Sequence, residues 1–282
     1  MRAALLLLSA AACLAQAQPA AADGRCGEML SIATHGGSAT RYAFLPPPRA
    51  IPPESPITLV LLAGGSGHVD LDEHGCARAL VGNSLVRSIP LFAAAGFGTA
   101  LVDAPSDFQG GDGLGGFRVA ARHAEDIGKL IAGLRARTHG SIWLIGTSRG
   151  TISAANAAAR LAGPSAPDGL VLTSALMSGQ SNAKKSWVAQ TVFDLPLEDI
   201  RMPLLVLGHA EDKCLRSPPT LMGRIVARTH GKRQQLVTLS GGPGYAGPPG
   251  LEACEGHAPH GYVGQEAELV AGIGRFVRGG RF

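Results

Sequence analysis

Short apolar runs bounded by glycine or proline alternate along this chain with segments whose apolar residues recur at helical spacing. The runs have the composition of buried strands, and the periodic segments predict amphipathic helices. The clearest helix is predicted over 117–137, where one face carries only apolar residues and the other faces carry the charges. The apolar face consists of Ala120, Ala124, Ile127, Ile131 and Leu134.

The order of the predicted elements indicates the fold class. Strands that alternate with helices form parallel βαβ units, so we expect an α/β fold with a mostly parallel central sheet and helices on both faces. About thirty residues separate the strands at Gly169 and Leu204, which leaves room for a small cap at most. Residues 23–282 are expected to form a single domain. Strands are predicted over Met29–Thr34, Arg41–Leu45, Ile57–Leu62, Thr99–Val102, Ile142–Ile145, Gly169–Thr173, Leu204–Leu207 and Gln235–Leu239, and further helices over 83–95, 151–161, 219–229 and 266–277.

The strand Ile142–Ile145 leads into Gly146-Thr147-Ser148-Arg149-Gly150, which matches G-x-S-x-G and is followed by a helix of small residues. Strand, sharp turn and helix in this order are the context in which the motif forms a nucleophile elbow. Such a turn strains the serine backbone and exposes the hydroxyl above the sheet. We therefore predict Ser148 as a nucleophile and the backbone N–H of Arg149 as an oxyanion donor. The alternative is an ordinary serine in a glycine-rich loop.

A serine nucleophile needs a carboxylate and a base, and both are found after later strands. The strand Leu204–Leu207 runs into Gly208-His209-Ala210-Glu211-Asp212. Asp212 is the predicted acid, with Glu211 as the alternative, and a solvated loop acid is the simpler interpretation of either.

Two histidines are candidates for the base. His257 and His260 lie in a long loop rich in glycine and proline, between the strand Gln235–Leu239 and the last helix. His260 is preferred because it lies nearest the helix, where its ring would be held most firmly.

The loop Gly64-Gly65-Ser66-Gly67 directly follows the strand Ile57–Leu62. Glycines let a backbone N–H approach a substrate closely, so Gly65 or Ser66 is predicted as the second oxyanion donor. The alternative is a simple tight turn.

Five short segments of the chain resemble, in order, the motifs of the α/β-hydrolase fold superfamily. They are L-L-A-G-G-S-G, V-D-A-P-S-D, G-T-S-R-G-T, L-G-H-A-E-D-K-C and H-G-Y. The resemblance covers nearly all of the mature chain and is greatest to exported bacterial hydrolases of undefined substrate. It implies the α/β-hydrolase fold, with Ser148 as nucleophile, Asp212 as acid and His260 as base. Thr147 and Arg149 beside the nucleophile depart from many lipases and esterases, so no substrate follows from the resemblance.

The N-terminus predicts export. Met1-Arg2 gives a positive start, and Leu5–Leu14 is an apolar core too short to span a bilayer. Cleavage is expected after residue 17 or 22, which makes residues 1–22 a signal peptide. A lipoprotein signal at Cys13 is disfavoured because the three alanines before it lack the usual leucine. The predicted location is the periplasm or the medium.

Export would leave four cysteines in an oxidising compartment: Cys26, Cys76, Cys214 and Cys254. Four cysteines allow three pairings. Cys214 lies two residues after Asp212 and Cys254 lies six before His260. This proximity motivates the hypothesis that Cys214 pairs with Cys254 and ties the acid loop to the histidine loop, leaving Cys26 to pair with Cys76.

Other functional classes find little support. A net charge of +4, scattered Lys and Arg and an aromatic content of 5% give no basis for nucleic-acid binding. The cysteines lack the C-x-x-C spacing of zinc sites. The run 111–116 fits G-x-G-x-x-G, but it does not directly follow its strand and no acidic residue stands where a ribose would be bound. We expect this run to be a loop at the rim of the site, and we expect no metal or organic cofactor.

The sequence therefore predicts an exported serine hydrolase that acts through an acyl-enzyme, with carboxylic ester hydrolysis preferred. The partner would be a small-molecule ester or amide. A peptidase, an amidase or an acyltransferase would use the same apparatus, and a non-catalytic binding protein is the opposing alternative. Neither the substrate nor the oligomeric state follows from the sequence.

Overall fold

A computed structural model describes residues 25–47 and 55–282. It contains an eight-stranded sheet with the strand order β1-β2-β4-β3-β5-β6-β7-β8. β1 and β2 are antiparallel to each other, β2 is antiparallel to β4, and β3 to β8 are parallel. The strands are β1 Glu28–Ala33, β2 Ala39–Leu45, β3 Ile57–Leu62, β4 Gly98–Val102, β5 Ser141–Thr147, β6 Gly169–Thr173, β7 Leu204–His209 and β8 Gln234–Leu239.

Helices cover both faces of the sheet, as the alternating pattern predicts. The strand β3 shows why: Leu59 and Leu61 face one apolar core, and Val60 and Leu62 face the other. One core contains α2, α3 and α4, and the second contains α1 and α5. The predicted fold class is therefore confirmed. The helices are α1 Ser84–Ala94, α2 Ala121–Thr138, α3 Gly150–Arg160, α4 Met222–Arg228 and α5 Glu266–Val277.

Element boundaries agree with the predictions within a few residues, and the largest difference is at α2. The periodic pattern predicts its start at Phe117, but the helix begins at Ala121. The side-chain amide of Asn156 donates to the carbonyls of Arg118 (2.9 Å) and Ala120 (2.7 Å). The Arg118 carbonyl is thus satisfied from α3, whereas the Ala120 carbonyl also accepts from the N–H of His123 at 3.2 Å, where α2 begins.

The connection between β6 and β7 contains three 3-10 helices, Ser186–Ala189, Val192–Asp194 and Leu197–Asp199. Within the described ranges, no helix has the length and apolar character needed to cross a membrane. The predicted signal peptide, residues 1–22, lies outside the described residues.

Candidate active site

Ser148 lies in the tight turn between β5 and α3, with φ of 52°. The left-handed region is costly for a residue with a side chain, so the surrounding packing must hold Ser148 there. Both glycines of the motif are required by close backbone approach. A Cβ on Gly150 would lie 2.0 Å from the Leu62 carbonyl oxygen, and one on Gly146 would lie 2.6 Å from the Gly150 carbonyl oxygen. The G-x-S-x-G spacing thus permits α3 to pack directly against the sheet.

Asp212 and His260 lie against each other after β7 and β8. Nδ1 of His260 is 2.9 Å from Oδ2 of Asp212, and both side chains are buried. The backbone N–H of Cys214 donates to Oδ1 of Asp212 at 2.8 Å. This arrangement fixes the carboxylate and orients the imidazole with Nδ1 towards it. The buried Nε2 of His260 has no hydrogen-bond partner among the residues that the structure describes.

The structure distinguishes the two candidates for the acid and the two candidates for the base. Glu211 is half-exposed and contacts Nδ1 of His209 at 2.9 Å rather than either candidate base. His257 is exposed, whereas His260 is 3% exposed. Asp212 and His260 are thus the acid and histidine that the fold brings together.

The position of Ser148 relative to this pair is defined by a shared cavity. Ser148, His260 and His257 all line it. Over the described ranges, no hydrogen bond joins Oγ of Ser148 to Nε2 of His260. Hydrogen bonds at catalytic centres are often longer before substrate binds, so the geometry is compatible with a nucleophile and its base.

Two residues that the sequence did not single out position His260. Oγ of Ser217 lies 2.9 Å from both Oδ2 of Asp212 and Nδ1 of His260. Oγ of Ser174 donates to the carbonyl of His260 at 2.8 Å and lies 3.1 Å from the hydroxyl of Tyr262. Burial raises the pKa of Tyr262, which keeps this hydroxyl protonated. A lone serine carries no sequence signal for such a role, because the contacts join distant parts of the chain.

The predicted oxyanion loop packs directly beside the serine. A Cβ on Gly64 would lie 2.9 Å from Cβ of Ser148 and 3.1 Å from the Thr147 carbonyl oxygen, so this position admits only glycine without a shift of the elbow. Gly65 has φ of 55°, which turns the chain there. In the described part of the chain, the N–H groups of Gly65, Ser66 and Arg149 donate to no protein acceptor.

Arg118 supports the oxyanion loop from behind. Its buried guanidinium donates to the carbonyl of Ala63 at 3.2 Å and to Oγ of Ser153 at 2.7 Å. Burial, followed by repulsion from Arg149, lowers the pKa of Arg118 to about 9. The helix predicted over 117–137 puts Arg118 on a charged outer face, and this was wrong, since the residue precedes α2 and is 3% exposed.

Two disulfides join the cysteines in the hypothesised pairs. Cys214 is bonded to Cys254 with a Cα–Cα distance of 4.6 Å, and Cys26 is bonded to Cys76 with a Cα–Cα distance of 4.9 Å. Cys214 and Cys254 line the same cavity as Ser148. The first disulfide therefore links the loop of Asp212 to the loop of His260.

No protein-family model and no curated protein matches the chain. Several solved structures match it over most of its length. A cold-adapted esterase from an Arctic intertidal metagenomic library, in a PEG-bound complex, has a TM-score of 0.55 and 16% identity, covering 87% of this chain and 92% of that chain. An alpha-beta serine hydrolase homologue from Coxiella burnetii has a TM-score of 0.54 and 16% identity, covering 89% of this chain and 97% of that chain. The proline iminopeptidase of Mycobacterium smegmatis has a TM-score of 0.56 and 12% identity, covering 89% of this chain and 98% of that chain. The chain has the α/β-hydrolase fold.

In this α/β-hydrolase fold, the cavity that contains Ser148 has a volume of about 760 Å³. It lies beyond the carboxyl ends of the parallel strands, where open α/β sheets bind their ligands. The glycine-rich run 111–116 forms turns beside this cavity, and the N–H of Leu114 donates to the Ser66 carbonyl at 2.8 Å. The run thus packs against the predicted oxyanion loop.

Arg149, which lines the α/β-hydrolase cleft, lies over an aromatic ring. Its guanidinium carbon lies 4.3 Å from the centre of the Trp187 ring. Trp187 belongs to the connection between β6 and β7, so this contact joins the elbow to the small cap segment. Arginine stacked on tryptophan is held by the ring quadrupole and keeps its charge.

A metal centre on this site is disfavoured by its chemistry. Asp212, Cys214 and His260 present ligand atoms within 4.8 Å of one another. Sγ of Cys214 is bonded to Cys254 and cannot supply the thiolate that a metal requires. Nδ1 of His260 is directed to Asp212. These residues fit an acid–base pair better than a metal site.

Proposed function

We propose that this protein is a serine hydrolase that cleaves carboxylic esters through an acyl-enzyme intermediate. Ser148 is the nucleophile, His260 is the general base and Asp212 orients the imidazole. The observation that carries the proposal is the set of contacts of the His260 ring. Its Nδ1 lies 2.9 Å from Oδ2 of Asp212, its buried Nε2 has no partner among the described residues, and His260 lines the cavity of Ser148. A buried nitrogen without a hydrogen-bond partner lowers the stability of the fold, and a role in proton transfer accounts for such a group.

The reaction follows from this geometry. The Ser148 hydroxyl attacks the ester carbonyl carbon while Nε2 of His260 takes its proton. The resulting oxyanion accepts hydrogen bonds from the backbone N–H of Arg149 and from that of Gly65 or Ser66. The imidazolium then gives its proton to the leaving alcohol, and the acyl-enzyme forms. Water attacks the acyl-enzyme with His260 again acting as base, which releases the acid and restores Ser148.

We take ester cleavage as the first candidate, and the shape of the cleft favours small substrates. The β6–β7 connection contains short 3-10 helices, so the cleft stays open to small substrates and to water. The structural neighbours include proteins described as an esterase and as an iminopeptidase, which keeps amide hydrolysis as the second candidate. Acyl transfer would need an alcohol in place of water in the second step.

A fluorophosphonate probe tests the proposal directly. We expect the wild type to be labelled covalently and the Ser148→Ala variant to remain unlabelled. Ser31→Ala is the matched control, because Ser31 is exposed on the edge strand β1. A folded wild type that does not react would contradict the proposal.

Matched pairs test the acid and the base. Asp212→Asn should lower kcat by about 10²- to 10⁴-fold, because the imidazole loses its orienting charge. Glu211→Gln should have a much smaller effect, since Glu211 contacts His209 instead. His260→Ala should abolish labelling, and His257→Ala should retain it. Rates on 4-nitrophenyl esters and aminoacyl amides would separate esterase from amidase activity.

We further propose that the protein is exported and matures by cleavage after residue 17 or 22. Two disulfides support this location, because they persist in oxidising compartments. Sequencing of the mature N-terminus would test it. An intact Met1 on the cellular protein would contradict the proposal.

A further inference from the structure

Three arginines line the cleft of Ser148: Arg87, Arg149 and Arg216. The charge of Arg87 is balanced, because its guanidinium lies 2.7 Å from the carboxylate of Glu266. The charges of the remaining two arginines, Arg149 and Arg216, are not balanced in this way.

In the described ranges, neither Arg149 nor Arg216 forms an ion pair. Arg216 is 8% exposed and donates to the carbonyl of Ser178 at 3.2 Å. Arg149 lies over the Trp187 ring, and Asp112, which acts on it through space, is itself ion-paired with Lys185. A half-buried and a buried cation therefore face the same cleft without an acid beside them.

The two guanidiniums are also close enough to repel each other. Burial lowers the pKa of Arg149, and the charge of Arg216 lowers it further. Arg149 stands at the start of α3, where the unpaired backbone N–H groups add positive potential. The acid that lines the cleft, Glu255, is exposed at its rim. A half-buried and a buried like charge without a counter-ion are costly, and a bound anion would reduce that cost.

We propose that this cleft binds an ester whose acyl or alcohol part also carries a free, ionised carboxylate. That carboxylate is held between Arg149 and Arg216. The proposal rests on the proposed function, since it assigns the substrate class of the same site. The planar guanidinium fork matches a carboxylate, and each charge-assisted hydrogen bond is strong in a desolvated cleft. Because Arg149 follows Ser148 directly, the free carboxylate would lie near the bond that is cleaved.

Two pairs of esters test the proposal and locate the carboxylate. Mono-4-nitrophenyl glutarate and its methyl ester differ only in a charge on the acyl side. 4-Butanoyloxybenzoate and its methyl ester differ only in a charge on the alcohol side. The measured quantity is the ratio of kcat/KM for the charged ester to that for the neutral ester. We expect this ratio to exceed one for at least one pair in the wild type.

Charge-removing variants assign the preference to these residues. Arg149→Gln keeps the backbone N–H, and Arg216→Gln keeps a donor for Ser178. Each should lower the ratio about tenfold, the loss of one charge-assisted hydrogen bond. Arg281→Gln is the matched control, since it removes an exposed charge outside the cleft. Arg149→Lys and Arg216→Lys retain charge and should restore part of the ratio, which also guards against a misfolded glutamine variant.

Binding measured without catalysis separates this proposal from the proposed function. In Ser148→Ala protein, calorimetry should show tighter binding of the charged ester than of its methyl ester, and Arg149→Gln or Arg216→Gln in that background should remove the difference. A wild type that reacts with fluorophosphonate but shows no charge preference would overturn the carboxylate site alone. A ratio above one that both glutamine variants leave unchanged would overturn it as well. Selective binding in a protein that fluorophosphonate does not label would support the carboxylate site and overturn the hydrolase.

Discussion

Oγ of Ser217 lies 2.9 Å from Nδ1 of His260, on the side of the ring that faces Asp212. The hydroxyl donates to the Asp212 carboxylate and can share the proton on Nδ1. Ser217 is 2% exposed and follows β7 by a short loop, so its hydroxyl is held in place by packing. In the proposed mechanism it is therefore a positioning residue for Asp212 and His260.

We expect Ser217→Ala to lower kcat by about 10- to 100-fold with little change in KM, because a hydrogen bond to a charged group contributes on the order of 1.5–3 kcal/mol. Steady-state kinetics on a 4-nitrophenyl ester would measure this split. Ser217→Thr retains the hydroxyl and should recover much of kcat. Equal losses in the alanine and threonine variants would point to packing instead.

Gly64 presses against the serine, and its substitution should impair the elbow. In Gly64→Ala the new methyl group would lie 2.9 Å from Cβ of Ser148, so either the elbow or the oxyanion loop must move. We expect slower fluorophosphonate labelling and a kcat lower by at least the effect of one lost oxyanion donor, about 10²-fold.

Gly133→Ala is the control for that variant. Gly133 is exposed within α2, and a Cβ there meets nothing within 4 Å. It should raise the free energy of unfolding by about 0.5–1 kcal/mol and leave labelling unchanged. Normal labelling of Gly64→Ala would show that the contact is easily relieved.

The two disulfides should have similar effects on stability and different effects on activity. They enclose loops with sequence separations of 40 and 50 residues. In the chain-entropy model each loop contributes about 4 kcal/mol to the free energy of unfolding. Replacing Cys214 and Cys254 by alanine should also lower kcat, because this bond joins the loops of Asp212 and His260.

The double alanine variant at Cys26 and Cys76 is the matched control. It should lose a similar free energy of unfolding and retain kcat below its unfolding temperature. Urea denaturation and ester kinetics on both variants would test the comparison. Equal kcat values in the two variants would contradict a role of the Cys214–Cys254 bond in holding the site.

His123 should make the protein sensitive to acid. Burial, followed by the charge of Arg118, lowers the pKa of His123 to about 3 from an ordinary value of 6.5. Between these values the unfolded state binds a proton and the folded state does not, so the free energy of unfolding falls as the pH falls below 6.5. From pH 6.5 to pH 5 this single group accounts for about 1.6 kcal/mol.

His123→Gln removes the titrating group and keeps a side-chain amide near Oγ of Ser153, which Nε2 of His123 contacts at 2.9 Å. Urea denaturation across this pH range should give a shallower loss for the variant than for the wild type. His74→Gln, at an exposed position, serves as the control. Parallel curves for wild type and His123→Gln would show that folding does not lower the pKa of His123.

How far the sequence predicts this molecule depends on the range of the interactions involved. The strands β3 and β6 and the helix α5 coincide with their predicted bounds, because hydrophobic periodicity and turn residues act locally. The start of α2 was misplaced because Asn156, far away in the chain, captures the carbonyls of the residues before it. A local sequence pattern gives no information about such a long-range contact.

The sequence by itself determined the α/β architecture, the elbow at Ser148 and the short list of acids and histidines, since each depends on a local motif and its neighbouring strand. Only the tertiary structure brought Asp212, rather than Glu211, against His260, brought Ser217 to the same ring nitrogen and placed Arg216 on the cleft that Arg149 lines. The reason is geometric. A parallel sheet gathers the ends of strands that are remote in sequence, and which side chains then meet depends on loop conformations that packing and the Cys214–Cys254 bond determine.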